Sequence, residues 1–94
     1  MKQVYMVTTT TCSVCKMLKP MITKVIGDSK CELISENVDE NTSELTSKLV
    51  SEYGIKSVPA FFFMNDNQVI DTHFGAISMP DLKKKVTELE NYVG

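Results

Sequence analysis

The chain carries no basic footprint, no long apolar run, no internal repeat, no low-complexity tract, no second cysteine pair and no tryptophan. Ten basic against twelve acidic residues give a formal charge of -2, which leaves no electrostatic case for binding nucleic acid or an anionic membrane. Near the start there is one lysine and only a short apolar stretch, Val4 to Val7, before four threonines. That is too short for a signal peptide or a membrane span, and the expectation is a cytosolic chain. An odd total of three cysteines argues against a fold stapled by disulfides, and in a reducing compartment a close Cys pair is more often catalytic or metal-binding. The 94 residues suffice for one domain, 1–94, with a single modest core, expected to act as a monomer.

What is present is Cys12-Ser13-Val14-Cys15, placed where an apolar strand gives way to an amphipathic helix. Thr8 to Thr11 form the connecting loop and offer a hydroxyl cap for a helix beginning at Cys12. At a helix start, unpaired backbone amides and the positive end of the dipole favour a thiolate over a thiol. Residues at i and i+3 lie one above the other, within the Cα separation of about 4.4 to 6.8 Å that a disulfide tolerates. Cys12 should project toward solvent and attack a disulfide, while Cys15, a turn further in, resolves the product.

The remaining pattern reads βαβαββα. The first helix carries Val14, Leu18, Met21, Ile22 and Val25 and stops at Gly27-Asp28, with Pro20 bending it below the thiols. A strand follows at Glu32 to Val38. Asn41 is placed as the N-cap of a second helix, with Glu44 completing a capping box and Leu45, Leu49 and Tyr53 as the buried stripe. Val58 to Met64 reads as a buried strand, turned at Asn65-Asp66-Asn67 into Gln68 to His73. Ser78, Pro80 and Asp81 open a last helix with Leu82, Val86, Leu89 and Val93 on its apolar face.

Cys12-Ser13-Val14-Cys15-Lys16-Met17-Leu18-Lys19-Pro20 resembles the thioredoxin active-site segment. Asn37-Val38-Asp39-Glu40-Asn41, Tyr53-Gly54-Ile55-Lys56-Ser57-Val58-Pro59 and Phe74-Gly75-Ala76-Ile77-Ser78 are similar to thioredoxin segments in the same order. The resemblance spans nearly the whole chain but lacks the strand and helix that usual thioredoxins carry first, leaving a glutaredoxin-sized α/β fold with a four-stranded mixed sheet and three helices. It implies a cis bond before Pro59, facing the Cys pair, and a client groove lined by Ser13, Val14, Val58, Pro59, Gly75 and Ala76, with Ile77 adding to its apolar patch. It also implies a protein-disulfide reductase that binds no cofactor itself and is recharged from NADPH through a flavoprotein thioredoxin reductase. Clients such as ribonucleotide reductase or peroxide-handling enzymes are implied with it.

Departures from the family pattern are specific. Ser13-Val14 replaces Gly-Pro, Thr11 stands for a tryptophan, Met6 for a buried carboxylate, and Ser35 for its lysine partner. Proton transfer from Cys15 must then use water or another group. A glutaredoxin reading is the first alternative, but Gly75-Ala76-Ile77-Ser78 lacks the second glycine and the carboxylate that hold glutathione in that family. A binding or assembly subunit that keeps the fold without needing its thiols is the second. A zinc site built from Cys12, Cys15 and Cys31 with His73 as a fourth ligand is disfavoured, because a helix from Ser13 to Ile26 spans about 20 Å and carries Cys31 away from Cys12. Cys31 is read as a small packed side chain, His73 as surface packing, Phe61 to Phe63 as core on both sheet faces, and Lys83 to Lys85 as a solvated helix face.

Overall fold

Strand β1, Lys2–Thr8, runs through the middle of the molecule, since Val4, Tyr5, Met6 and Val7 are all buried and both of its faces must therefore be covered. The computed structural model describes residues 2–40, 42–55 and 57–93. β1 pairs in parallel with β2, Glu32–Asn37, and antiparallel with β3, Ala60–Asn65. β3 pairs antiparallel with β4, Gln68–Phe74, giving the sheet order β2-β1-β3-β4. Helices α1, Ser13–Gly27, and α3, Met79–Glu90, cover one face, and α2, Glu44–Tyr53, covers the other.

The three consecutive phenylalanines follow from this layering. Side chains alternate along a strand, so Phe61 and Phe63 join Val4, Met6, Ile22, Ile26 and Leu82 under α1 and α3, while Phe62 joins Tyr5, Val7 and Leu49 under α2. The hairpin after β3 turns on Asp66 and Asn67, both at positive φ (50° and 69°), between the paired Asn65 and Gln68. Two left-handed residues make the turn whose twist matches the strands.

Several boundaries move. β3 starts at Ala60 rather than Val58, because Pro59 has no N–H to give a ladder. α1 runs unbroken through Pro20, which lies on its exposed side. Tyr53 is 41 % exposed, although its ring meets Phe62 edge-on at 5.3 Å. Val93 is 95 % exposed, since α3 ends at Glu90 before reaching it. The cap of α2 also differs from the expectation. Asn41 and Lys56 lie outside the described residues, and the N-cap is Ser43, whose Oγ accepts the Thr46 N–H at 3.2 Å. Glu44 is then the first helical residue and cannot close a capping box. The carboxylate comes from β2 instead: Glu36 accepts from the Ser43 N–H at 2.9 Å, from the Ser43 hydroxyl and from the Thr46 hydroxyl.

Candidate active site

Cys12 is itself the N-cap of α1, with φ -80° and ψ 96°, so the threonine cap expected from the sequence is not used. Its Sγ accepts the Cys15 N–H at 3.1 Å. A sulfur is poor as a cap when neutral but well suited to receive an amide when anionic. The two cysteines are joined as a disulfide with Cα atoms 5.3 Å apart, so the helical i, i+3 spacing closes the ring within the usual range. Cys12 is 8 % exposed and Cys15 4 %. Cys12 is thus less open than its first position suggested, because the bond to Cys15 folds its sulfur back over the helix end.

The loop entering this helix is pinned from β2. Thr10 donates its N–H to Asp39 Oδ2 at 2.9 Å, and Asn37 Nδ2 donates to Thr10 Oγ1 at 3.3 Å. Asn37 Oδ1 takes the Asp39 N–H at 2.8 Å, and Val38 N–H reaches Thr8 C=O at 2.9 Å. Sequence reasoning missed this latch. Its only signal was the family likeness of Asn37-Val38-Asp39, which named the segment without saying what it holds.

The Val58-Pro59 turn, whose peptide bond is cis, lies at the same end of the sheet as the thiols, with Val58 packed against the cluster that holds them. Gly75 N–H donates to Pro59 C=O at 2.8 Å, tying the loop after β4 to the loop before β3. Gly75 sits at φ +96°, where a side chain would be strained, and an added Cβ would lie 3.4 Å from Ser57 Oγ. His73, read from sequence as surface packing, donates from Nε2 to Ala76 C=O at 2.9 Å while its ring stands 6.1 Å from that of Phe61. Val14 and Val58 are half-buried against the cluster holding both cysteines, whereas Ile77, expected in the client patch, is 3 % exposed and lies inside that cluster. Ser13 and Ala76 are exposed, and one turn along α1 Met17 adds an apolar side chain that is 71 % exposed.

Met6, in the same core cluster as the pair, is fully buried and is the register partner of Ser35. Thr46, on the α2 side, is the one buried polar or charged residue among those described, so no buried carboxylate lies near Cys15. Cys31 precedes Glu32, at the end of the sheet opposite to Thr8 and Asn37, as the length of α1 requires. Burial pushes its thiol up, against a hydrogen bond with Ser29 that pulls the other way. Among the described residues no group of three or more His, Cys, Asp or Glu could hold a metal ion.

A close thiol pair that caps a helix at the end of a β2-β1-β3-β4 sheet, and that closes reversibly into a disulfide, defines a thiol–disulfide oxidoreductase. Comparison with known proteins takes this further. The thioredoxin family model matches residues 2–88. Thioredoxin 2 of Chlorobaculum tepidum is 33 % identical over 79 residues, covering 82 % of this chain and 68 % of that protein. Oxidised mitochondrial thioredoxin 3 of Saccharomyces cerevisiae superposes with a TM-score of 0.75 at 27 % identity, over 93 % of this chain and 77 % of that one. A point mutant of a thioredoxin from Halobacterium salinarum reaches 0.81 at 22 % identity, over 99 % of this chain and 78 % of that one, which speaks to the fold alone. The chain belongs to the thioredoxin family. It is a protein-disulfide oxidoreductase, of a family that works on disulfide-containing clients and is served by a reductase.

Proposed function

We propose that this protein reduces disulfides in client proteins by dithiol exchange, with Cys12 as the attacking thiolate and Cys15 as the resolving thiol. The observation that carries this is the Cys15 N–H directed at Cys12 Sγ at 3.1 Å on the first turn of α1. That amide, with the helix end behind it, favours negative charge on the first sulfur and offers none to the second. Attack by Cys12 joins it to one client sulfur and releases the other as a thiolate. Cys15, losing its proton, then bonds to Cys12 and releases the first client sulfur, so the client gains two electrons and the enzyme becomes the disulfide.

The client segment lies across the turn formed by Val58 and Pro59. Among the described residues none hydrogen-bonds to the Val58 backbone, so an extended segment can pair there as a strand would. Val14, Val58 and Ala76 supply apolar contact, Ser13 stands at the edge, and Gly75 lets the second backbone come close. Electrons arrive from NADPH through a flavoprotein reductase, and the setting is a reducing compartment, the cytosol. The experiment is a redox titration in glutathione buffers with acid quench, alkylation and mass spectrometry, beside a Cys15→Ser variant. The variant should trap a client mixed disulfide through Cys12. A trap through Cys15, or thiols that do not couple under mild oxidation, would overturn the assignment. Faster turnover with glutathione than with NADPH and thioredoxin reductase would move the protein to the glutathione-dependent class.

A further inference from the structure

Resolution of the mixed disulfide needs somewhere for the Cys15 proton to go, and the interior offers nowhere. Met6 is fully buried in the same cluster as the pair, and the one buried polar residue among those described, Thr46, lies across the sheet in α2. The pair belongs to a buried cluster with Met6, Ile22, Phe61 and Ile77, none with a lone pair able to take a proton at neutral pH.

The other side of Cys15 is different. A cleft of about 330 Å³ runs from solvent to Cys15 between α1 and the end of β2, lined by Thr8, Thr9, Thr10, Lys16, Lys19, Ser35, Asn37 and Glu40. Ser35 and Asn37 share the face of β2 that carries Leu33 into the α1 cluster, so their polar side chains turn toward the thiol side. A polar cleft of this size, open to solvent, admits several waters, each occupying about 30 Å³. Few charged groups line it. From α1 come the ammonium groups of Lys16 and Lys19, which have no acceptor site, and from the β2–α2 connection comes the carboxylate of Glu40, which has. The neighbouring Asp39 is already occupied by the Thr10 N–H. No charged group faces the cleft from β2 itself.

We infer that the resolving proton leaves Cys15 sideways, through water in this cleft, with Glu40 as its acceptor and Lys16 and Lys19 favouring the thiolate left behind. This rests on the dithiol-exchange reading above. The Cys15 S–H bond breaks, and its proton passes by water to the Glu40 carboxylate and on to bulk solvent. The Cys15 thiolate then attacks Cys12 Sγ, the ring disulfide forms, and the client sulfur departs with the electron pair of the mixed disulfide. Glu40 touches neither sulfur and acts only through the cleft. Its role is thus one of proton transfer at a distance, placed by the same loop that latches Thr10.

The test is stopped-flow reaction of the reduced protein with a bis-nitrobenzoate disulfide, which releases one coloured thiolate when Cys12 attacks and a second when Cys15 resolves. Wild type, Glu40→Gln and Glu40→Asp are compared across acid to alkaline pH. Glu40 is exposed, so neither variant threatens the fold. In Glu40→Gln the second release should slow about tenfold near pH ~6, with the first unchanged, general-base help being worth at least this much. The gap should close above about pH 8.5, where thiols ionise unaided, and Glu40→Asp should recover most of the rate. A second release of wild-type speed in mild acid, or a loss that is the same at every pH, overturns the route. If instead the first release is no faster than that of a free thiol, the dithiol-exchange reading itself has failed.

Discussion

Removing the Glu36 carboxylate, as in Glu36→Ala, tests whether α2 is anchored from the sheet rather than from its own first turn. Three donors converge on that carboxylate: the Ser43 N–H, the Ser43 hydroxyl and the hydroxyl of Thr46, a residue with no exposed surface. Charge-assisted hydrogen bonds are worth about 1.5–3 kcal/mol each but do not add, and a buried donor left without its acceptor costs about 1–3 kcal/mol. The carboxylate also faces a helix N-terminus, worth about 0.3–1 kcal/mol. Glu36 is only half-buried, and Ser43 Oγ can still reach Thr46 Oγ1 at 3.1 Å, so the lower part of the summed range applies. The expected loss is about 2–4 kcal/mol, or a fall in Tm of roughly 10–25 °C for a domain of this size.

The pH dependence of that contact separates this cause from simple loss of packing. Burial alone would raise the Glu36 carboxyl, but the hydrogen bonds from Ser43 and Thr46 outweigh it and hold the group below its ordinary value. A depressed folded-state value contributes stability that is complete above the unfolded value, about 4.3, and is lost as pH falls through the folded one. Urea unfolding of wild type and Glu36→Ala at pH 7, 5 and 3 should therefore show the full gap at the first two and a smaller one at the last. A gap under about 0.5 kcal/mol at pH 7, well below the value of one such bond, or one that does not narrow at pH 3, would refute the reasoning.

Alkylation of the fully reduced protein at pH 7 should modify Cys12 first and Cys31 last, because the first sulfur caps a helix while burial pushes the Cys31 thiol up; timed quench and mass spectrometry read the order. Gly75→Ala forces a side chain into φ +96° beside Ser57 and should cost about 1–3 kcal/mol, with slower reduction of a protein disulfide than of a small aryl one, measured side by side. Lys85 pairs with Asp71 at 2.6 Å over the Phe63 ring, but the pair is partly solvated. Lys85→Met should therefore lower stability by no more than about 1 kcal/mol, by an amount that shrinks with added salt. Burial raises and the Lys85 contact lowers the Asp71 carboxyl, with a net fall, so this contribution should be present at neutral pH and lost below about pH 4.

Much of this was legible in the chain. The strand and helix order, the split of Phe61, Phe62 and Phe63 between two faces, and the thiol pair at a helix start all follow from periodicities and caps that operate within a few residues. What escaped were contacts between segments distant in sequence. Asn41 with Glu44 satisfies a local capping rule, yet Ser43 became the cap because Glu36, on the neighbouring strand, supplies the acceptor that a local box would need. Lys85 belonged to a run of three lysines that looked uniformly solvated, and only the β3–β4 hairpin brings Asp71 within reach of it. His73 gave no sign that its ring would hold the Ala76 carbonyl, since that bond depends on the turn at Gly75.

The substitutions that set this chain apart are consistent with one another. A buried carboxylate on β1 needs a polar neighbour to make its burial tolerable, so losing it at Met6 removes the need for a basic partner at Ser35, the residue in register with it. With both gone, that face of the sheet packs as ordinary apolar core, and Met6 is fully buried at no electrostatic penalty. The short side chain at Ser35 leaves open the space that a longer one would fill, and that space is the cleft reaching Cys15. Apolar packing at Met6 and a short side chain at Ser35 thus go together with a solvent path beside the thiols. A Met6→Asp variant should accordingly be less stable than wild type, because the new charge has only Ser35 in register to answer it. Urea unfolding at mildly alkaline pH, where that carboxyl would have to ionise or stay neutral at a cost, should show a loss of about 3 kcal/mol or more. Equal stability would mean that the cleft already solvates position 6, and that the two routes for the proton are one.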